Sequence, residues 1–225
     1  MINQPDTIMT ISLSAADFQP TEMYFLLRDS VVPRPIAWVS TVSAEGVPNI
    51  APFSFFNVVS PSPPMLGFSC GPRGDNHAGE WVPKDTYANI VATREFVVNI
   101  VPEQLMDEMV KTAADLAPGD SEFRYAGLAE APSSIVKAPR VARAPVAYEC
   151  KLHEILDMGA NKWIMGSVQH VHIDEAVYTG RKGEQDHRID LLEQTGTRPV
   201  GRLGRAYYVR LRELEARLRR DGPNN

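Results

Sequence analysis

Apolar positions recur along this chain mostly with the period of a strand. Ile36-Ala37-Trp38-Val39-Ser40-Thr41-Val42 is β-branched and aromatic, with proline behind it and Ser43-Ala44-Glu45-Gly46 ahead. That pattern predicts a strand and a turn, then a second strand over Val47 to Phe53. Prolines at 48 and 52 mark the second strand as irregular or at a sheet edge, because proline cannot donate to a ladder. Val58-Val59 and Met65 to Cys70 flank Pro61-Ser62-Pro63-Pro64 and predict another strand, loop and strand. Glu95 to Val101, Ala147 to Leu156 and Trp163 to Ile173 read as further strands. Helical spacing is rarer. It opens at Pro20-Thr21-Glu22 and ends near Arg28, returns over Asp85 to Arg94, and is clearest over Pro102 to Ala114. There Leu105, Met106, Met109 and Val110 share a face, with proline in the first turn. Leu211 to Arg220 predicts a short C-terminal helix. Segments 71–79, 115–145 and 179–203 read as loop or linker. Strands in consecutive hairpins predict a mainly β fold, an antiparallel barrel with peripheral helices. Nothing marks a boundary, so one domain over residues 1–225 is expected, with a lead-in over 1–20.

Composition narrows the function. At 225 residues the chain is long enough to bury a core without disulfide or metal staples. A net charge of −5 argues against nucleic-acid binding, which needs a basic face. Two cysteines, Cys70 and Cys150, exclude a disulfide scaffold and fit a reducing compartment. Met1 to Thr10 has no basic start and no apolar run, so a cytoplasmic chain is expected. Gly46 to Pro72 has no acidic or basic residue, yet its six prolines exclude a membrane helix. Such a segment lies inside a fold or beneath a ligand. The chain has no Gly-x-Gly-x-x-Gly fingerprint, no phosphate-loop lysine motif and no Gly-x-Ser-x-Gly elbow. His153, His170 and His172 fall on two predicted strands. No carboxylate or thiolate has the spacing to complete a metal site with them, so none is expected.

Three features carry candidate chemistry. In Trp38-Val39-Ser40-Thr41 hydroxyls stand beside an aromatic ring. Asn49-Ile50-Ala51-Pro52-Phe53-Ser54-Phe55-Phe56-Asn57 combines small residues, amides, a hydroxyl and three aromatics. Lys84-Asp85-Thr86 opens a helix, with Asn89 one turn on. Free amides at a helix start bind anions, and a lysine adds charge. Together they suit a flat ring with a phosphate tail. They equally suit a helix capped by Asp85 or Thr86 and aromatics that fill a core.

The runs Pro33-Arg34-Pro35-Ile36-Ala37-Trp38-Val39-Ser40-Thr41 and Gly46-Val47-Pro48-Asn49-Ile50-Ala51-Pro52-Phe53-Ser54-Phe55-Phe56-Asn57 resemble the flavin reductase-like family. So do Lys84 to Ile90, Glu95 to Asn99, Glu149-Cys150 and Gly201-Arg202-Leu203-Gly204. The resemblance spans about residues 20 to 210. It implies an FMN-binding split antiparallel β-barrel and a homodimer with FMN at the subunit interface. It implies that Trp38, Val39, Ser40, Thr41, Ala51, Pro52, Phe53 and Ser54 line the flavin ring and ribityl chain. It places Ser54, Asn57, Lys84 and Thr86 near the phosphate, supported by Asn89, with Asp85 left to cap the helix. The activity it implies is NAD(P)H-dependent flavin reduction, with NADH or NADPH as hydride donor and a partner monooxygenase as a possible recipient of reduced flavin. Two alternatives are an FMN-retaining reductase of a specific acceptor, such as a ferric complex or an electron-poor aromatic, and a non-catalytic flavin or electron carrier.

Overall fold

A computed structural model describes residues 9–74, 81–117, 119–180, 187–193 and 196–215. Helix α1 (Pro20–Ser30) starts on a proline, which is tolerated in the first turn, and leads into the barrel strands. These are β1 (Ala37–Val42), β2 (Pro48–Phe53), β3 (Phe56–Pro61) and β4 (Pro64–Cys70). Helix α2 (Asp85–Thr93) and β5 (Glu95–Ile100) follow. A 3₁₀ turn, Glu103–Leu105, runs into α3 (Met106–Lys111), and α4 is Glu122–Ala126. Two short strands, β6 (Glu130–Ala131) and β7 (Arg140–Val141), precede the long hairpin of β8 (Val146–Asp157) and β9 (Lys162–Ile173). The last pair is β10 (Val200–Arg202) and β11 (Tyr208–Arg210).

Seven strands form one antiparallel sheet in the order β2-β1-β5-β8-β9-β4-β3. Its edge strands, β2 and β3, are consecutive in the chain and joined only by Ser54-Phe55. The sheet therefore curls on itself with a gap beside β2, a split barrel. The proline-bearing strand β2 does lie at an edge, where missing donors cost least.

Alternation along the strands divides the apolar residues between two cores. Ala37, Val39, Phe68, Phe96, Val98, Cys150 and Ile164 fill the barrel. Phe68 and Phe96 meet edge to face at 5.7 Å. Gly166 is required on β9, because a Cβ there would run into the Phe96 ring and lie 3.0 Å from Cys150 Cβ. Ile36, Trp38 and Ile50 face the other way and pack on Leu105, Met109, Phe123 and Val200.

The strands fall close to their expected ranges, but four segments differ. The helix expected over Pro102 to Ala114 is broken at Leu105, whose φ of −116° and ψ of 16° are not helical. The expected loop 115–145 contains α4, β6 and β7. The expected linker 179–203 ends in β10, which pairs with β11. Residues 211–215 of the expected C-terminal helix are not helical, and 216–220 lie outside the described residues, as do 1–8 and 75–79 of the lead-in and loop. No helix among the described residues is long and apolar enough to cross a membrane.

Candidate functional site

Helix α2 begins abruptly. Lys84 is the N-cap, in extended conformation (φ −72°, ψ 154°), and its side chain offers no oxygen to the first turn. The amides of Asp85, Thr86 and Tyr87 therefore have no protein acceptor among the described residues. The expectation that Asp85 caps the helix does not hold: its carboxylate instead pairs with Arg73 at 2.6 Å. That pairing offsets the negative charge beside the helix start and leaves Lys84 with no ion pair among the described residues.

This helix start opens onto a cavity of about 170 Å³. Ala51, Pro52 and Phe53 at the end of β2 form one wall, and Lys84, Asp85 and Thr86 another. Behind it runs a chain of hydrogen bonds. Asn89 Nδ2 donates to Thr41 Oγ1 at 3.0 Å, and Thr41 donates to Asn49 Oδ1 at 3.2 Å. Thr86 Oγ1 donates to the same Asn49 oxygen at 3.0 Å, and Asn49 Nδ2 donates to Glu122 Oε2 at 2.8 Å. Burial pushes the Glu122 carboxyl above its ordinary value, and the Asp85 charge adds to that; hydrogen bonds, including those from Ile50 and Asn49, oppose it. The network joins β1, β2, α2 and α4 and fixes the position of the α2 start.

The residues expected at the site do not all meet at the cavity. Ala51, Pro52, Phe53, Lys84 and Thr86 line the cavity. Ser54 lines the next cavity, which shares Pro52 with the first. Trp38, Val39, Ser40 and Thr41 are wholly enclosed and line neither cavity, because both faces of β1 are covered, Val39 facing the barrel core and Trp38 the core outside it. Trp38 Nε1 donates to Thr112 Oγ1 at 2.8 Å, and Ser40 accepts from Asn99 Nδ2 at 3.1 Å. Asn89 supports through Thr41 rather than touching the cavity. Asn57 is exposed on β3, and its Oδ1 accepts from the Val58 amide at 2.8 Å, away from the α2 start. Arg73, Thr112 and Glu122 line the cavity without having been nominated. Arg73 had a signal, a cation in the glycine-rich loop before the helix. Glu122 had none, since only tertiary folding carries α4 to β2.

The histidines also need correction. His153 is exposed and apart, but Glu149 on β8 faces His170 on β9 by register, a carboxylate that spacing along the chain did not reveal. Glu149, His170 and His172 present ligand atoms within 4.8 Å of one another. Both Glu149 oxygens are already engaged. Oε1 accepts from the Ser134 amide and meets His172 Nε2, each at 2.6 Å. Oε2 accepts from the Ile135 amide at 2.6 Å and the Val136 amide at 2.9 Å. The cluster thus clamps segment 134–136 to the barrel.

Comparison with known proteins bears on this site. The flavin reductase like domain family matches residues 28–186. An uncharacterised protein of Aquifex aeolicus is 40% identical over 188 residues, 84% of this chain and 89% of that protein. Nitrilotriacetate monooxygenase component B from Bacillus cereus superposes with a TM-score of 0.82 at 31% identity, over 93% of this chain and all (100%) of that one. The 2-nitrobenzoate 2-nitroreductase NbaA of Pseudomonas fluorescens gives 0.77 at 31% identity, over 95% and 97%.

Proposed function

The chain belongs to the flavin reductase-like family and is an oxidoreductase acting on flavin; on that premise we propose that it binds FMN at the α2 cavity and reduces it with NADH or NADPH. The observation that carries this reading is the start of α2, where Lys84, Asp85 and Thr86 line a cavity and, among the described residues, the first-turn amides have no acceptor and Lys84 has no ion pair. That donor set fits a phosphate monoester. Lys84 would neutralise the phosphate, and the Asp85, Thr86 and Tyr87 amides would orient it. Pro52, Phe53 and Ser54 would present a firm, mostly apolar edge to the ring and exclude water there. Ala51 is the small residue that lets the ribityl chain pass close to β2. Bound FMN supplies hydride acceptance and electron transfer, so no side chain is assigned as acid or base. The cavity of about 170 Å³ is below the roughly 300–1,000 Å³ of pockets that enclose a drug-sized ligand. A second copy of the chain would complete the site.

The likeness to a monooxygenase component B supports delivery of reduced flavin to a partner oxygenase. The likeness to a 2-nitrobenzoate nitroreductase favours a second reading, in which FMN stays bound and reduces an electron-poor aromatic. We place the protein in the cytoplasm, where its two thiols stay reduced.

Anaerobic mixing with NADH or NADPH tests the reading. Bleaching of bound flavin at about 450 nm is expected, the absorption typical of oxidised flavin. No bleaching with either donor would leave only a flavin or electron carrier. Turnover that rises with added free FMN indicates release of reduced flavin; turnover that needs only an aromatic acceptor indicates retention.

A further inference from the structure

Beside the α2 cavity lies a second one of about 220 Å³, separated from it by Pro52 and Ala113. Three arginines line it, Arg28, Arg34 and Arg202, with Tyr24, Phe55 and Tyr208. Arg34 and Arg202 are partners in an isolated antiparallel bridge, their backbones joined by hydrogen bonds of 2.9 and 2.8 Å. Bridge partners point to the same face, and like charges directly opposite one another are destabilising.

Among the described residues one carboxylate, Asp29, stands against the three arginines: it pairs with Arg28, and its charge only partly offsets the burial of Arg34. Arg34 is only 5% exposed, yet it donates to the carbonyls of Arg28, Val31 (2.8 Å) and Leu203 (3.0 Å), and to Ser54 Oγ (3.4 Å), with no carboxylate among them. Arg202 packs over the Tyr208 ring at 4.3 Å and has no ion pair among the described residues. Arg28 alone has one, with Asp29 at 2.7 Å. Burial, and then the neighbouring Arg202 charge, hold the Arg34 guanidinium below its ordinary value, the direction expected of a cation without a counter-ion. A buried cation is stable when paired, and among the described residues Arg34 has no carboxylate within ion-pair distance.

We propose that this arginine cavity is the anchoring site for an anionic oxygen group, a carboxylate or a phosphate, on the second substrate of the flavin site. The aromatic residues among the arginines favour a planar body behind that anion. The volume admits a small aromatic acid whole, or the charged end of a longer molecule. The placement beside Pro52 rests on the FMN reading; the anion site itself does not.

Calorimetric titration of the purified protein, with whatever flavin it carries, with benzoate and then inorganic phosphate tests it. Both probes are expected to bind, benzoate more tightly. The double variant Arg28→Gln, Arg202→Gln is expected to weaken them about tenfold or more while changing FMN affinity less than about twofold. Arg34 stays intact because its carbonyl contacts hold the chain together. The variant Arg28→Lys, Arg202→Lys keeps the charge and should retain most of the affinity, which separates lost charge from lost folding. Benzoate competing with NADH or NADPH would identify the anion as the donor's phosphate. Benzoate competing only with an aromatic acceptor would identify a carboxylate. Absence of binding, equal binding by the glutamine variant, or a parallel loss of FMN would overturn the proposal. Arginine-dependent benzoate binding in a chain that takes no flavin would keep this site and sink the flavin reading instead.

Discussion

Lys84 occupies the N-cap position where Ser, Thr, Asp or Asn would otherwise satisfy the first-turn amides. A helix left open in this way is less stable alone and better suited to an external anion. Replacing Lys84 and Thr86 together by Ala should weaken FMN by about tenfold to a hundredfold, the range for losing one or two charge-assisted contacts. Riboflavin, lacking the phosphate, should lose far less. Equal losses in a fluorescence titration would show that neither residue meets phosphate. Glu149 makes the opposite kind of site, a carboxylate whose partners are all internal. Burial alone would raise its pKa, but donation from the Ser134 amide, His172 and the Val136 and Ile135 amides outweighs that and lowers it to about 2 from 4.5. A depressed carboxyl stabilises the fold above its unfolded value and loses that effect as pH falls. The contribution, about 3 kcal/mol by linkage, is full at neutral pH and fades between about pH 5 and pH 2. Glu149→Gln would set amide hydrogens against backbone donors, so its denaturant midpoint should fall well below the wild-type value at pH 7. The two midpoints should converge near pH 2; a constant gap would show that ionisation of Glu149 is not the cause.

At the scale of elements, the strands were legible because β-branched and aromatic runs ended at proline and glycine. Helices α1 and α2 were legible from proline and acidic starts with apolar residues at helical spacing. The break at Leu105 was not, because Leu105, Met106, Met109 and Val110 keep helical spacing while the backbone departs at one residue. Five-residue α4 and two-residue β6 and β7 are too short to show any period. The site was half legible for the same reason. Lys84-Asp85-Thr86 is a local signal. The burial of Trp38 to Thr41 depends on which strand neighbours and helices cover each face, and that is tertiary. Sheet register also explains the cysteines. Phe96 lies opposite Cys150, and Cys70 is two residues on from Phe68 on the same face of β4, so both thiols lie in the barrel interior. Burial pushes both Cys70 and Cys150 up to about 12. Neither should react with a disulfide reagent at pH 8 until the barrel unfolds, when both should react. Gly166→Ala should have a related effect from inside: a methyl group against Phe96 overpacks the core at a cost of about 1–3 kcal/mol. Prompt thiol labelling in that variant would report the opened barrel.

At the scale of the molecule, the barrel leaves apolar surface that one chain does not use. Val58 on β3 is 65% exposed and Val171 on β9 is 40% exposed. Both border a groove of about 550 Å³ that Met65 and Val168 also line. Strand β3 is also a sheet edge, with backbone groups on its outer side free to be covered. Trp38 and Phe53 are already inside this chain and need no second subunit to cover them. The proposed dimer is favoured by this groove and by the volume of the α2 cavity, about 170 Å³, below that of pockets that enclose a drug-sized ligand. A permanent homodimer buries more than about 2,000 Å² in total. Sedimentation at micromolar concentration should therefore give a mass of about twice 24.9 kDa. Val58→Glu with Val171→Glu places two charges in the desolvated face and should give the single-chain mass. If a partner wall completes the flavin site, that variant should also lose FMN although no residue of the α2 cavity has changed. A wild-type chain sedimenting at the single-chain mass while holding FMN would show that one barrel suffices.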